Sequence, residues 1–522
     1  FSTWPAIHLN TYFCWLIIVL PIAWFIWSKK SLAITRISIA ACFILLLAFS
    51  ISSNKSITPN TDITTEKPHV IMIGIDSLRG DLLHSHMPFL SEQLQESTLF
   101  ENTYTPLGRT FPAWNSILTG LYPINHGARV NLMDERHLPP TDQYLGSVLK
   151  KQGYKTLFAI DETRFANMGT RHGFDEVISP RMGASDFIVG VIADYPLTNL
   201  LSLLPISAWL LPEIYANRGV AATYRAEAFS DLLERNIPVA TQPSFLAIHF
   251  CLAHWPFYFS TNYPLDWNYP EPYYPANLRA IDDQIESLMI DLKNKGYLAN
   301  SRIIFLSDHG EAWTEESPTF TNKDELDTAN AVHNPTIYGH GSSLTSHSNR
   351  TLLAFKGFQS AALADNSYKM ASLADIKPTI LSELDITTPA TNDGRSLLDV
   401  NLTEQVTMPV ETGTILMVNE DNELDVETLR NKMLNRYQLN PSGLLSIRED
   451  KIATALKAKI NGVRTHNQVL SQFDKGSFRL FNIQAMQFEH FKNLHELKDK
   501  SPLWAQAWCH WYKSEDTECS KP

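Results

Sequence analysis

The chain has 522 residues, 44% hydrophobic and 19% charged, which is enough apolar material for one large folded domain with additions. Its formal net charge of -12, with no block of Lys and Arg, excludes a nucleic-acid binder, because such proteins concentrate cations to displace counterions from phosphates. No nucleic-acid partner is expected.

At the amino terminus, His8 to Trp27 and Leu32 to Ile51 are two apolar runs, each near the ~20 residues that a bilayer-spanning helix needs. Lys29, Lys30 and Arg36 cluster at the connecting turn, so residues 1–51 read as a transmembrane hairpin with its turn in the cytoplasm. Everything after Ile51 then faces the outside of a bacterial inner membrane, periplasmic or extracellular, with the lipid bilayer as a partner. The competing reading is that the second run is a signal peptide cut after Ala48-Phe49-Ser50. Of the five cysteines, Cys14 and Cys42 lie in the apolar runs and Cys251 in a predicted buried strand. That leaves Cys509 and Cys519 as a candidate disulfide, which would suit an oxidising compartment.

Residues 52–68 are polar and rich in Ser, Thr and Asn, a linker composition. His69 to Ile75 is a continuous apolar run that ends on Asp76, as a central strand covered on both faces would. In open α/β sheets ligands gather beyond the carboxyl ends of the strands, so Asp76 is expected to point into a site. Pro106 to Arg109 then turn the chain. Thr110 is an N-cap candidate for a helix carrying Trp114, Ile117, Leu118 and Leu121 at helical spacing, and Gly120 to Pro123 stop it. A hydroxyl at the positive end of a helix suits attack on an anion.

A helix at Tyr144 to Gln152 and a strand at Gly153 to Ile160 continue the alternation. Residues 182–217 contain no Lys or Arg and are interrupted by Pro196, Pro205 and Pro212. They are read as short packed helices or, alternatively, as a flap lying near the bilayer. Ser244 to Phe250 is another buried strand. It carries His249, assigned to a structural role, and leads to His254 in Leu252-Ala253-His254-Trp255-Pro256. Arg302 to Ser307 is a third strand, which delivers Asp308 and His309 with Gly310 and Glu311 at its end. Beyond Asn401 the pattern is less regular, with predicted helices at Glu423 to Tyr437 and Arg448 to Ile460 and a Trp-rich end.

The frame Thr110-Phe111-Pro112-Ala113-Trp114 followed by Asn115-Ser116-Ile117-Leu118-Thr119-Gly120-Leu121-Tyr122-Pro123 resembles the signature of the sulfatase branch of the alkaline phosphatase superfamily. Also similar to that family are Asp76-Ser77-Leu78-Arg79-Gly80-Asp81, the segment around His254, Asp308-His309-Gly310-Glu311, Tyr338-Gly339-His340-Gly341, the strand after His347, and Asp393-Gly394-Arg395-Ser396-Leu397. The resemblance runs from about Val70 to Leu398. It implies an α/β fold, an alkaline phosphatase-like sandwich with a large central mostly parallel sheet flanked by helices. This catalytic domain spans residues 69–400, with a smaller C-terminal subdomain at 401–522.

The resemblance also implies one divalent metal ion (Zn, Mn, Mg or Ca) held by Asp76, Thr110, Asp308 and His309, with Thr110 as nucleophile and Arg109, His254 and His340 as further catalytic residues. His347 is a weaker candidate. Four departures bear on substrate. Threonine cannot become the aldehyde that sulfatases make from Cys or Ser, and Trp114 stands where the family has an arginine. Asp161-Glu162-Thr163-Arg164 stands where a lysine-bearing segment is common, and Ser77 replaces a second aspartate. The expected function is hydrolysis or transfer of a phosphate ester or phosphodiester, small or lipid-linked, through a phospho-threonine. The alternatives are a true sulfatase acting on sulfate esters and a membrane-tethered protein that uses the fold only for binding.

Overall fold

The computed structural model describes residues 65–163, 168–180, 195–202, 207, 211, 214–219, 224–254, 273–311, 340–341, 344, 346–358, 361–403, 407–413, 435–440, 444–472, 476–485, 487–513 and 515–520. The predicted hairpin, most of the linker, most of the 182–217 segment and most of the Glu423 to Tyr437 helix lie outside these residues. Among the described residues no helix is long and apolar enough to cross a membrane.

The main sheet is built from β1 (His69–Ile75), β2 (Thr98–Leu99), β4 (Lys155–Ile160), β5 (Glu176–Ile178), β6 (Ser244–Phe250), β7 (Ser301–Ser307) and β8 (Leu353–Lys356). The short β3 (Thr103–Tyr104) pairs outside it with Ala371–Ser372. The strand order is β2-β8-β7-β1-β6-β4-β5. The pairs among β7, β1, β6, β4 and β5 are parallel, and β8 joins β7 and β2 in antiparallel fashion. The sheet is thus mostly parallel and carries an antiparallel edge. Every residue of β1 and β6 is buried, as continuous apolar runs covered on both faces should be.

Side chains alternate across β1. Ile71, Ile73 and Ile75 join one core layer, with the helices Ala226–Asn236 and Tyr274–Asn294. Val70 and Met72 join the other, under the helix Thr110–Thr119 through Phe111, Trp114 and Ile117. Gly74 and Asp76 continue that second row, so the strand-end carboxylate emerges on the face covered by the Thr110 helix. The α/β class and the helix-flanked central sheet follow the sequence expectation.

The chain beyond residue 401 differs from it. It forms a five-stranded antiparallel sheet in the order Met408–Glu411, Asn461–Arg464, Gln468–Gln472, Phe478–Asn482, Gln487–Phe491, packed by the helices Leu494–Lys500 and Pro502–Tyr512. Of the two helices expected there, the second is present as Glu449–Lys457. Cys509 and Cys519 are disulfide-bonded. A shared apolar cluster of Tyr104, Tyr122, Met370, Met408, Val410 and Val469 joins this sheet to the catalytic layer.

Candidate metal and nucleophile site

Three parallel strands end side by side, with β1 between β6 and β7. The register pairs Gly74 with His249 and Ile75 with Ser307, which brings Asp76 beside Asp308 and places His249 one strand over. The helix bearing Thr110 starts above these ends. Its N-cap is Arg109, in extended conformation, and Thr110 is the first helical residue. The Thr110 hydroxyl is therefore not the helix cap predicted from sequence. It donates to Asp76 Oδ2 over 3.3 Å.

Ser77, with φ of 57°, takes the left-handed region, unusual for a non-glycine residue, so that the chain can turn just after Asp76. Tyr274 fixes this turn: its hydroxyl donates to Ser77 O over 2.6 Å and accepts from Arg79 N over 2.8 Å. Where a second aspartate was expected, the Ser77 hydroxyl donates to Asp76 Oδ1 over 2.8 Å, and Ser77 N donates to Asp308 Oδ1 over 3.3 Å.

Asp76, Asp308 and His309 lie within ligand reach of one another, all buried. His309 Nε2 is 3.6 Å from Asp76 Oδ1 and 3.4 Å from Asp308 Oδ2. His309 Nδ1 lies 3.0 Å from Gly310 O. A carbonyl only accepts, so Nδ1 carries the proton and Nε2 turns a lone pair toward the two carboxylates. Asp308 Oδ2 and His309 Nε2 are buried without a hydrogen-bond partner. Facing acceptors of this kind repel one another unless a cation lies among them, and the oxygen and nitrogen donor set suits a divalent ion. Burial holds the His309 pKa down at about 4, which keeps the imidazole neutral, as a ligand must be. Burial, and then the Asp76 charge, push Asp308 well above the carboxylate range. For Asp76 burial acts in the same upward direction, but the His254 charge and then the close approach of His249 outweigh it and hold the group low.

His340 is buried, stacks on His309 with ring centroids 3.9 Å apart, and has Nδ1 3.3 Å from Glu311 Oε2. His254 meets His340 edge-on at 4.9 Å, so the three imidazoles line up toward the carboxylates. Burial above all lowers the His340 pKa well below the usual range. The Arg109 side chain threads between two backbone turns: a Cβ on Gly341 or Gly413 would stand 2.8 or 2.7 Å from its Nε. Its charge acts on Glu311 and Asp76. His347 falls in the short helix Ser346–Asn349.

Two residues escaped the sequence reading. His249, expected to be structural, is fully buried with Nε2 3.6 Å from Asp76 Oδ2 and 3.7 Å from Asp308 Oδ2. Asp76, His249 and Cys251 also come within ligand reach, but burial and then Asp161 raise the Cys251 thiol pKa well above its ordinary value, which disfavours the thiolate a metal binds. Arg218 is the second. Its backbone N donates to Asp161 O over 2.7 Å and its Nη2 to His254 O over 2.7 Å, so this buried residue links the segments after β4 and β6, the first through its backbone and the second through its guanidinium. This is the corner where the family's lysine was missing from the sequence after β4. No local pattern signalled it, because Arg218 lies 57 residues past Asp161 in the chain.

The sulfatase family model matches residues 68–386. The chain is 27% identical to arylsulfatase J of Mus musculus over 265 residues, 47% of this chain and 43% of that protein. It is 28% identical to the choline-sulfatase of Rhizobium meliloti (strain 1021) over 138 residues, 25% of this chain and 26% of that protein. The chain thus spans less than half the length of these curated relatives. Among solved structures, the phosphonate monoester hydrolase SpPMH from Silicibacter pomeroyi superposes with a TM-score of 0.53 at 18% identity, covering 86% of this chain and 96% of that one. The phosphonate monoester hydrolase of Agrobacterium radiobacter gives 0.52 at 14% identity, covering 87% and 95%. At these identities the likeness is one of fold, and it agrees with the sheet described above. With the family model matching more than half of its length, the chain belongs to the sulfatase family.

Proposed function

We propose that this protein is a metal-dependent hydrolase or transferase of phosphate esters or phosphodiesters, working through a covalent phospho-threonine on Thr110. The observation that carries the reading is the Thr110 hydroxyl, set on the first turn of a buried helix and bonded to Asp76 Oδ2. Sulfatases need Cys or Ser at this position for their aldehyde, and threonine cannot supply it. Asp76, Thr110, Asp308 and His309 would hold the divalent ion, which when bound supplies counter-charge and favours the alkoxide form of a hydroxyl.

The rest falls to the chain's own residues. Thr110 Oγ1 attacks phosphorus in line, its proton leaving to solvent, so the P–O bond to Thr110 forms as the P–O bond to the leaving group breaks. The N–H groups of Thr110 and Phe111, at the start of the helix, meet the equatorial oxygens, since Pro112 has none and Ala113 N is bonded to Arg109 O. His254, at the partly exposed end of the imidazole row, gives its proton to the departing oxygen. Water, or an acceptor alcohol, then attacks the phospho-threonine and loses its proton as the P–O bond to Thr110 breaks, and Thr110 Oγ1 regains a proton. His340 is oriented by Glu311 through Nδ1, which leaves its Nε2 as a hydrogen-bond acceptor beside the site. Arg218 and Arg109 supply positive charge around the site.

The reading also sets the catalytic part on the outer side of a bacterial inner membrane, acting on a lipid-linked or small ester. The two apolar runs at 8–27 and 32–51, with their lysines between, support this, as does the Cys509–Cys519 disulfide. Protease digestion of intact spheroplasts tests it, since the catalytic part should be cleaved without lysis.

Sulfate ester hydrolysis is the second reading, favoured by the curated sulfatases that match part of the chain. A protein that only binds would have no need of an intact Asp76, Thr110, Asp308 and His309 set. Turnover of aryl phosphate, bis-aryl phosphodiester and aryl sulfate by metal-loaded wild type and Thr110→Ala decides among them. Phosphoester turnover lost in the variant supports the proposal, turnover retained in it removes Thr110 as nucleophile, and turnover of sulfate alone favours the second reading.

A further inference from the structure

We propose that His249 is an additional ligand of the divalent ion, so that the ion is held by two carboxylates and two imidazoles and is a transition metal rather than Ca or Mg. The inference rests on the metal reading of the site and names a donor that the family pattern did not supply. His249 approaches the same two carboxylates as His309 but on the other Asp76 oxygen: its Nε2 is 3.6 Å from Asp76 Oδ2 and 3.7 Å from Asp308 Oδ2, whereas His309 Nε2 is 3.6 Å from Asp76 Oδ1 and 3.4 Å from Asp308 Oδ2. A charge-assisted hydrogen bond would close to about 2.7–2.9 Å. Donor atoms that share one ion at ~2.1 Å stand roughly 3.0–3.5 Å apart, so each histidine lies within a few tenths of an ångström of that spacing from its own Asp76 oxygen, and one ion taking both would draw the two imidazoles together across the Asp76 carboxylate.

The burial is the second observation. His249 is 0% exposed, and both of its ring nitrogens lack a hydrogen-bond partner. Two other buried atoms without a partner, Asp308 Oδ2 and His309 Nε2, belong to the same cluster. A group of buried polar atoms facing one another without partners has a simple resolution in a shared cation. The approach of His249 is also built in. Its strand partner is Gly74, where a Cβ would stand 2.9 Å from His249 Nδ1, and Trp114 backs the ring edge-on at 5.2 Å. Trp114 thus occupies the family's arginine position as a support for this imidazole. A second neutral nitrogen donor shifts preference toward zinc and related ions, since Ca and Mg prefer oxygen.

The test uses the full chain in detergent, stripped with chelator and reloaded with Zn. X-ray absorption should count two imidazoles in wild type and one in His249→Phe, a variant that keeps a ring against Trp114. Competition against a chromophoric chelator should show Zn affinity falling at least about tenfold in the variant, while the weaker Ca affinity changes little. One imidazole in the wild-type spectrum overturns the inference even if the variant does not fold, and so does equal Zn affinity in a folded variant. Failure of wild type to bind any divalent ion would instead bring down the metal reading itself.

Discussion

Thr110 Oγ1 and Asp76 Oδ2 lie 3.3 Å apart across 34 residues of chain, joining the first turn of a helix to the end of the central strand. If Thr110 is the nucleophile, acid quenching during turnover of a phosphodiester should leave a phosphoryl group on the peptide containing Thr110. Thr110→Ser should retain part of the rate and Thr110→Ala should lose on the order of a thousandfold or more. Mass spectrometry of the quenched digest reads the adduct, and an unmodified Thr110 peptide under steady turnover would count against a covalent route.

Gly74 is the opening through which His249 reaches the carboxylates. A methyl there would lie 2.9 Å from His249 Nδ1 and 3.0 Å from Trp114 Cζ2, so Gly74→Ala should destabilise by about 1–3 kcal/mol and loosen metal binding together. Denaturant midpoints and Zn titration check the pair, and unchanged values in both would mean that the layer yields more easily than its packing indicates.

Tyr274 holds the turn after Asp76 through both functions of its hydroxyl. Tyr274→Phe leaves Ser77 O and Arg79 N without this partner, so a loss of about 1–3 kcal/mol is expected, with a fall in kcat as the Asp76 turn relaxes. Steady-state kinetics beside urea unfolding separates the two, and full kcat in a destabilised variant would confine Tyr274 to stability.

Glu411 is a buried carboxylate shared by Lys459, at 2.6 Å, and Arg129, at 3.0 Å, and Arg129 also pairs with Glu515. Burial opposes its ionisation, but the Lys459 and Arg129 charges outweigh this and lower its pKa. Glu411→Gln takes the carboxylate from buried Lys459 and leaves Arg129 with Glu515 alone, and should cost about 3–5 kcal/mol, whereas removing one partner of an exposed pair such as Arg448 and Asp450 should leave stability nearly unchanged. Thermal unfolding of both variants provides the comparison.

Acid sensitivity should come in part from buried neutral histidines. Burial lowers the pKa of both His126 and His172 from 6.5 to about 3. Between these values the unfolded chain takes up protons that the folded chain refuses. The stability is therefore complete above pH 6.5 and falls with pH down to about 3, by up to about 1.4 kcal/mol per unit for each histidine. Urea midpoints at pH 7, 6 and 5 should decline, and His172→Gln, which keeps an acceptor for Gly169 N, should decline less steeply. An equal slope in that variant would assign the acid loss to other groups.

The sequence by itself determined what is local. Continuous apolar runs at residues 69–75, 244–250 and 301–307 identify buried strands, and the residues that close them, Asp76, His254 and the Asp308-His309 pair, are legible because a strand end is a position along the chain. Helical spacing likewise located the helix after Arg109. Only the tertiary structure decided which side chains of separate strands meet. The roles of His249 and Gly74 depend on register between β1 and β6, and that of Arg218 on a contact made far along the chain. The antiparallel sheet after residue 401 was hidden for a related reason. Its strands of four or five residues carry too few alternating positions to stand out, and their pairing is fixed by the shared core around Phe478, Leu480 and Trp508 rather than by any run of sequence.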